Sequence, residues 1–168
     1  GPRHYNVIYK DLRIHKSQIL GEEGKGLDVA LGMLHLSRTS IAACCVGTAD
    51  RMLDIAMRYA KARTTFGKPV ASRQAIQGNI AQMATEISAT RLLYQRAAWM
   101  FDQGMPIVTE AAMAKLFAEQ MVIRVSEMAM RMHGGVGFSE AYPLERHFRD
   151  CRSFHFEEGT EEIQKLLI

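Results

Sequence analysis

Apolar residues recur along this chain at three- and four-residue steps over long stretches, the signature of amphipathic helices. Leu27, Leu31, Leu34, Ile41, Cys45, Ala49, Met52, Ala56 and Tyr59 form the first stripe and predict one long helix, begun after the glycine-rich residues 21–26 and stopping near Arg63. Ser72 is placed to cap a second helix, carried by Ile76, Ile80, Met83, Ile87, Tyr94, Ala97 and Phe101 until Gly104 and Pro106 interrupt it. A third runs from about Thr109 to His133 on Met113, Leu116, Phe117, Met121, Met128 and Met132, with Gly134-Gly135 as its stop. Pro143 opens a short helix through His147, and Thr160 opens another toward Ile168. Ahead of these, Tyr5, Val7, Tyr9, Leu12 and Ile14 roughly alternate with polar residues and predict a half-buried strand over residues 4–14. Short connections favour antiparallel neighbours, so the expected fold class is all-α: an up-and-down four-helix bundle over residues 21–168, three long helices and a shorter fourth, preceded by one stray β-strand within residues 1–20.

Composition narrows the class. With 168 residues, 48% hydrophobic and 23% charged, the chain can bury one core and reads as a soluble globular domain. No apolar run in the sequence approaches the roughly 20 residues of a membrane span, and no basic-then-apolar leader opens it. Gly1-Pro2 fits the remnant of a cleaved fusion tag. The net charge of +3 comes from scattered Lys and Arg rather than a basic block, so nucleic acid is not the expected partner. Cys44, Cys45 and Cys151 lack paired or metal-ligand spacing and read as reduced core residues. His147 and His155 read as surface or pocket-edge residues, no metal site is expected, and the eleven methionines are expected to fill the core.

The chemistry concentrates near the C-terminus. In Phe156-Glu157-Glu158-Gly159-Thr160, Gly159 can adopt a backbone closed to other residues and Thr160 can cap the helix beginning at Glu161. Glu158 then sits on a tight loop, as a general base is often presented. The acidic residues there would equally complement a helix dipole. Arg38 falls between Leu34 and Ile41 on an apolar stripe, and a cation there needs a partner, such as a carboxylate of residues 157–162.

Arg149-Asp150 with Glu158-Gly159-Thr160 and Ile163-Gln164 resembles the C-terminal signature of the acyl-CoA dehydrogenases, flavoproteins that oxidise acyl-CoA thioesters to trans-2-enoyl products. Three more motifs stand in the family's order: Gly21-Glu22-Glu23-Gly24-Lys25-Gly26, Arg63-Thr64-Thr65-Phe66-Gly67-Lys68 and His133-Gly134-Gly135-Val136-Gly137-Phe138. The resemblance is to the C-terminal helical domain, with residues 1–20 as the remnant of the last strand of a middle β domain. It implies FAD as cofactor, an acyl-CoA substrate, an electron-transfer flavoprotein as acceptor and a homotetramer built as a dimer of dimers. The compartment it implies is the cytoplasm in a bacterium or the mitochondrial matrix in a eukaryote.

Residue by residue, the resemblance makes Glu158 the base that removes the alpha proton. The Glu158 backbone N–H would help hold the thioester oxygen, while Arg38 and Gly159 lie beside the substrate. Arg63, Thr65 and Phe66 would reach the FAD of a neighbouring subunit, with Gln74, Arg131, Gly134, Gly135 and Thr160 as further cofactor contacts. Some relatives carry the base immediately before the arginine matched by Arg38; Ser37 stands there in this chain, which reinforces Glu158. Arg131 replaces a common glutamine, Glu162 a neutral polar residue, and His35 an acidic contact. Acyl length is open. A flavin monooxygenase would not need Glu158, a nitroalkane oxidase resembles enzymes with aspartate there, and a non-catalytic self-association or nucleic-acid-binding relative would not need Glu158, Arg63 and Phe66 together. The 168 residues alone are expected to be inactive.

Overall fold

The computed structural model describes residues 5–168, and three long helices dominate it: α1 (Gly26–Ala62), α2 (Gln74–Asp102) and α3 (Val108–His133). Their apolar stripes meet in a core that is small-residue-rich, with Ala42, Ala49, Ala56, Ala114, Ala118 and Ala129 fully buried beside Met52, Met83 and Met121. Alanines at these positions let α1 and α3 approach closely, and methionine fills the irregular gaps left between them. The methionines divide, however: Met33, Met105 and Met113 are exposed. So are Leu27, Leu31 and Phe101, because the stripes run past the ends of the core.

The shorter fourth member is composite: α4 (Leu144–Asp150), a 3-10 turn over Cys151–His155, a loop, and α5 (Glu161–Leu167). This segment retraces α3 from end to start. Tyr142 packs on His133, Cys151 Sγ lies 3.5 Å from Ser126 Oγ, His155 Nδ1 is 3.4 Å from Glu119 Oε1, Lys115 meets Gly159, and Thr109 Oγ1 donates to the Leu167 carbonyl at 3.2 Å. α1 runs parallel to α3, since Arg38 and Lys115 meet the same loop at one end while Tyr59 and His133 stack at the other.

Several expectations are corrected. No strand forms over 5–14, where Tyr5, Val7, Tyr9, Leu12 and Ile14 are exposed and have no ladder partner; His4, like Gly1-Pro2, lies outside the described residues. A small hairpin forms instead after α1, β1 (Thr64–Thr65) pairing with β2 (Lys68–Pro69). Its two turn residues, Phe66 (φ 50°) and Gly67 (φ 77°), are both left-handed, as a tight I′ turn requires. Ser72 does not cap α2: it ends a 3-10 turn, and its hydroxyl donates to the Pro69 carbonyl at 2.8 Å. Cys44 is exposed, while Cys45 and Cys151 are buried. By length and hydropathy α1 is long and apolar enough to cross a membrane, but its buried residues pack on α2 and α3 as those of a core helix do.

Where α3 ends, Gly134 takes φ 64° and ψ −149°, a conformation open essentially to glycine alone. His133, just before it, is 3% exposed; its ring stacks on Tyr59 with centroids 4.1 Å apart, meets Tyr142 edge-on, and places Nδ1 2.8 Å from the Ala129 carbonyl. Burial pushes its pKa below the ordinary 6.5, against a smaller opposing effect of the Ala129 carbonyl. An unfolded His133 therefore binds more protons than a folded one just below that value, so its contribution to stability is intact above 6.5 and is lost as pH falls through the lowered pKa. His35 and His147 shift in the same direction, also chiefly through burial. His133→Phe, which keeps a ring in the stack, should reduce the loss of stability between about pH 7.5 and about pH 5.5, compared by urea midpoints. Gly137 is demanded by space: a Cβ there would stand 2.8 Å from His133 Cβ and 2.9 Å from the Met130 carbonyl oxygen. Gly137→Ala should cost about 1–3 kcal/mol in denaturant unfolding, the usual penalty of overpacking.

Candidate active site

The loop between the 3-10 turn and α5 carries two consecutive left-handed residues, Glu158 (φ 56°) and Gly159 (φ 100°). For glutamate this backbone is strained, and it persists only where neighbours over-determine it. Four hydrogen bonds do so. Arg38 Nε donates to the Glu158 carbonyl at 3.1 Å, Gln164 Nε2 reaches the same oxygen at 3.1 Å and the Gly159 carbonyl at 3.0 Å, and Lys115 Nζ donates to the Gly159 carbonyl at 2.8 Å. Gly159 is needed for space as well as conformation, since a Cβ would lie 3.2 Å from both Gln164 Nε2 and Ile163 Cγ2. Glu158 is half-buried, and its carboxylate accepts no hydrogen bond among the described residues.

Arg38 is 4% exposed, and its partner is the Glu158 carbonyl rather than the carboxylate expected from its place on the apolar stripe. Burial works against its charge, and the nearby Glu158 carboxylate works in its favour. His35 Nδ1 lies 3.4 Å from the guanidinium, and burial followed by the Arg38 charge holds its imidazole below the usual range, suited to accepting that hydrogen bond as a neutral ring. Thr160 occupies the N-cap position of α5 in an extended conformation, but its side chain makes no capping hydrogen bond to the backbone. The expectation of a hydroxyl cap is corrected accordingly.

At the opposite end of the bundle, a cleft of about 720 Å³ is lined by Arg63, Thr65, Arg131, Gly134 and Gly135 together with Tyr59 and His133. Phe66 does not line it: the ring sits at the hairpin tip, 97% exposed, with the Arg73 guanidinium 5.7 Å from its centroid. Gln74 is exposed at the first turn of α2, and Arg73 beside it donates to the Thr65 carbonyl at 2.9 Å. Two guanidinium groups and open space above Gly134 and Gly135 make the cleft suitable for a phosphate-bearing group such as part of FAD. Arg38 and Arg63 are 25 positions apart on one helix and its cap, so the loop and the cleft stand about 37 Å apart along α1 at 1.5 Å per residue. Glu158, Gly159, Thr160 and Arg38 thus gather at the loop and Arg63, Thr65, Arg131, Gly134 and Gly135 at the cleft, while Phe66 and Gln74 line neither.

Lys115 and Glu119 escaped the sequence reading. A lysine four residues before a glutamate on a helix reads as a solvated surface pair, yet both are fully buried. The available signal was their company, Ala111, Ala112, Ala114 and Ala118, a face too small-residued to be facing water. Glu119, His155 and Glu161 also bring ligand-type atoms within 4.8 Å of one another, but each is already engaged: Glu119 by Lys115, His155 by Glu119, and Glu161 by Lys165 and Gln120.

A family model described as acyl-CoA dehydrogenase, C-terminal domain, matches residues 24–168. The mitochondrial short-chain specific acyl-CoA dehydrogenase of Homo sapiens is 43% identical over 163 residues, covering 97% of this chain and 40% of the relative. The solved butyryl-CoA dehydrogenase of Megasphaera elsdenii superimposes with a TM-score of 0.92 at 38% identity, over 95% of this chain and 42% of that one. A structure described as PigA with FAD and proline gives a TM-score of 0.89 at 30% identity, again over 95% of this chain and 42% of its own. The chain therefore spans about two fifths of the length of the relatives it matches. By match, identity and superposition alike, it belongs to the acyl-CoA dehydrogenase family and corresponds to the C-terminal helical domain.

Proposed function

We propose that the protein carrying this chain is an FAD-dependent acyl-CoA dehydrogenase in which Glu158 is the base, the beta hydrogen leaves as hydride and the product is a trans-2-enoyl-CoA. The observation that carries this reading is the Glu158 loop, strained, held by its two carbonyls, and leaving its carboxylate without a hydrogen-bond partner among the described residues. Removal of a proton alpha to a thioester needs such a base, together with donors for the oxygen where negative charge develops. The Glu158 N–H is one such donor, and Arg38 and Gly159 shape the substrate side of the loop. FAD, when bound, supplies the hydride acceptor. Arg63, Thr65, Arg131, Gly134 and Gly135 would hold its phosphate-bearing part, with Phe66 and Gln74 as outer contacts, while Thr160, on the loop, would meet the FAD that Glu158 faces.

The separation of loop and cleft supports a division of labour in which a chain offers its base to one FAD and its cleft to that of a neighbouring subunit. An even-numbered assembly, a dimer of dimers, follows from this, with an electron-transfer flavoprotein as the acceptor. In the same reading residues 1–20 belong to the last strand of a middle β domain, which would cover the apolar side chains exposed there. The compartment is the bacterial cytoplasm or the mitochondrial matrix.

In the intact enzyme, Glu158→Gln should leave FAD bound and nearly abolish flavin reduction by acyl-CoA in a stopped-flow measurement, since the amide keeps the shape and cannot take the proton; reduction at the wild-type rate would remove Glu158 from the role. Arg63→Ala should lower flavin content per subunit with little change in unfolding midpoint, because an exposed charge at a helix end contributes only a few tenths to about 1 kcal/mol. Unchanged flavin occupancy would exclude the cleft as the cofactor contact.

A further inference from the structure

Lys115 and Glu119 form an ion pair with no exposed surface, on a helix face otherwise built of alanines. Such a pair is a weak source of stability, because the cost of removing both charges from water roughly cancels their attraction, and well-packed apolar replacements often serve as well or better. The pair's contacts point to another use. The ammonium also donates to the Gly159 carbonyl at 2.8 Å, and Glu119 faces His155, which begins the approach to the same loop, at 3.4 Å. No other charged side chain touches that carbonyl among the described residues; Gln164 is its second donor.

We propose that Lys115 is a positioning residue for the Glu158 carboxylate: its ammonium, neutralised by Glu119, anchors the Gly159 carbonyl and so holds the left-handed pair at 158 and 159. The proposal rests on the reading of Glu158 as base. Arg38 and Gln164 anchor the preceding carbonyl, and Lys115 is the anchor that comes from α3, tying the loop to the middle of the bundle. Without it the turn can relax toward right-handed backbone, and the carboxylate leaves the place where a substrate proton would meet it. Displacements on the scale of an ångström are enough to slow a proton transfer severely.

The test compares Glu158→Gln with two double variants of the intact enzyme, Lys115→Met/Glu119→Leu and the milder Lys115→Met/Glu119→Gln, neither of which leaves a buried charge unpaired. Both should fold with full FAD content and near-wild-type unfolding midpoints. KM for acyl-CoA should stay within about twofold, while flavin reduction slows by about tenfold or more. Amide hydrogen exchange over residues 156–160 should accelerate, with α1 and α3 unchanged. A folded, FAD-loaded double variant with wild-type reduction rate and loop exchange would overturn the proposal, as would failure of both variants to fold, since the pair would then be a stability element. Rapid reduction by Glu158→Gln together with accelerated loop exchange in the double variants would retire Glu158 as the base and leave the anchoring of the loop standing.

Discussion

The arrangement of this domain turns on a carbonyl oxygen and a buried ammonium: the Gly159 carbonyl is where the chain, having retraced α3, is fastened to it. Holding glutamate in left-handed backbone costs about 1–2 kcal/mol, whereas one hydrogen bond to a charged group contributes about 1.5–3 kcal/mol. Such a bond is of the size of the strain, and the two carbonyls are held separately: Arg38 on that of Glu158, Lys115 on that of Gly159, and the Gln164 amide on both. The strain is affordable because the two cationic donors sit on helices that are themselves fixed by the alanine-rich packing of α1 on α3. Local geometry at Glu158 is thus a property of the core.

Much of this was legible beforehand, for reasons that differ by residue. The three long helices follow from apolar period, and the stop at Gly134 from the need for a backbone conformation that only glycine readily takes. Gly159 was legible for the same reason. Residues 5–14 alternate as a strand does yet form none in this chain, because alternation reports a preference, while a strand also needs a neighbour to receive its hydrogen bonds. Arg38 was correctly read as a buried cation on an apolar stripe, but the identity of its acceptor depended on the backbone turn at 158, and periodicity carries no information about which way a carbonyl faces. Lys115 and Glu119 failed for a related reason: their spacing suits water as well as the interior, and only the fold decides between them.

The two clusters of candidate chemistry differ in how they are built. The loop is assembled from three parts of the chain, α1, α3 and the C-terminal return, and is rigid through hydrogen bonds between buried groups. The cleft joins the C-terminal ends of α1 and α3 through stacked rings, with its guanidinium groups exposed at the edge. One is suited to fixing a single carboxylate, the other to meeting a large polyanionic surface whose partner atoms arrive from outside.

The neighbouring thiols of α1 have a practical consequence. Burial pushes the Cys45 thiol far above its ordinary range and the Cys151 thiol upward as well, so neither offers much thiolate, and both are shielded from reagents. Cys44, one residue earlier on the same helix, faces outward. The chain thereby carries a single accessible thiol, near the midpoint of its longest helix, and alkylation of that thiol becomes a direct readout of whether another protein surface lies over this flank of the bundle.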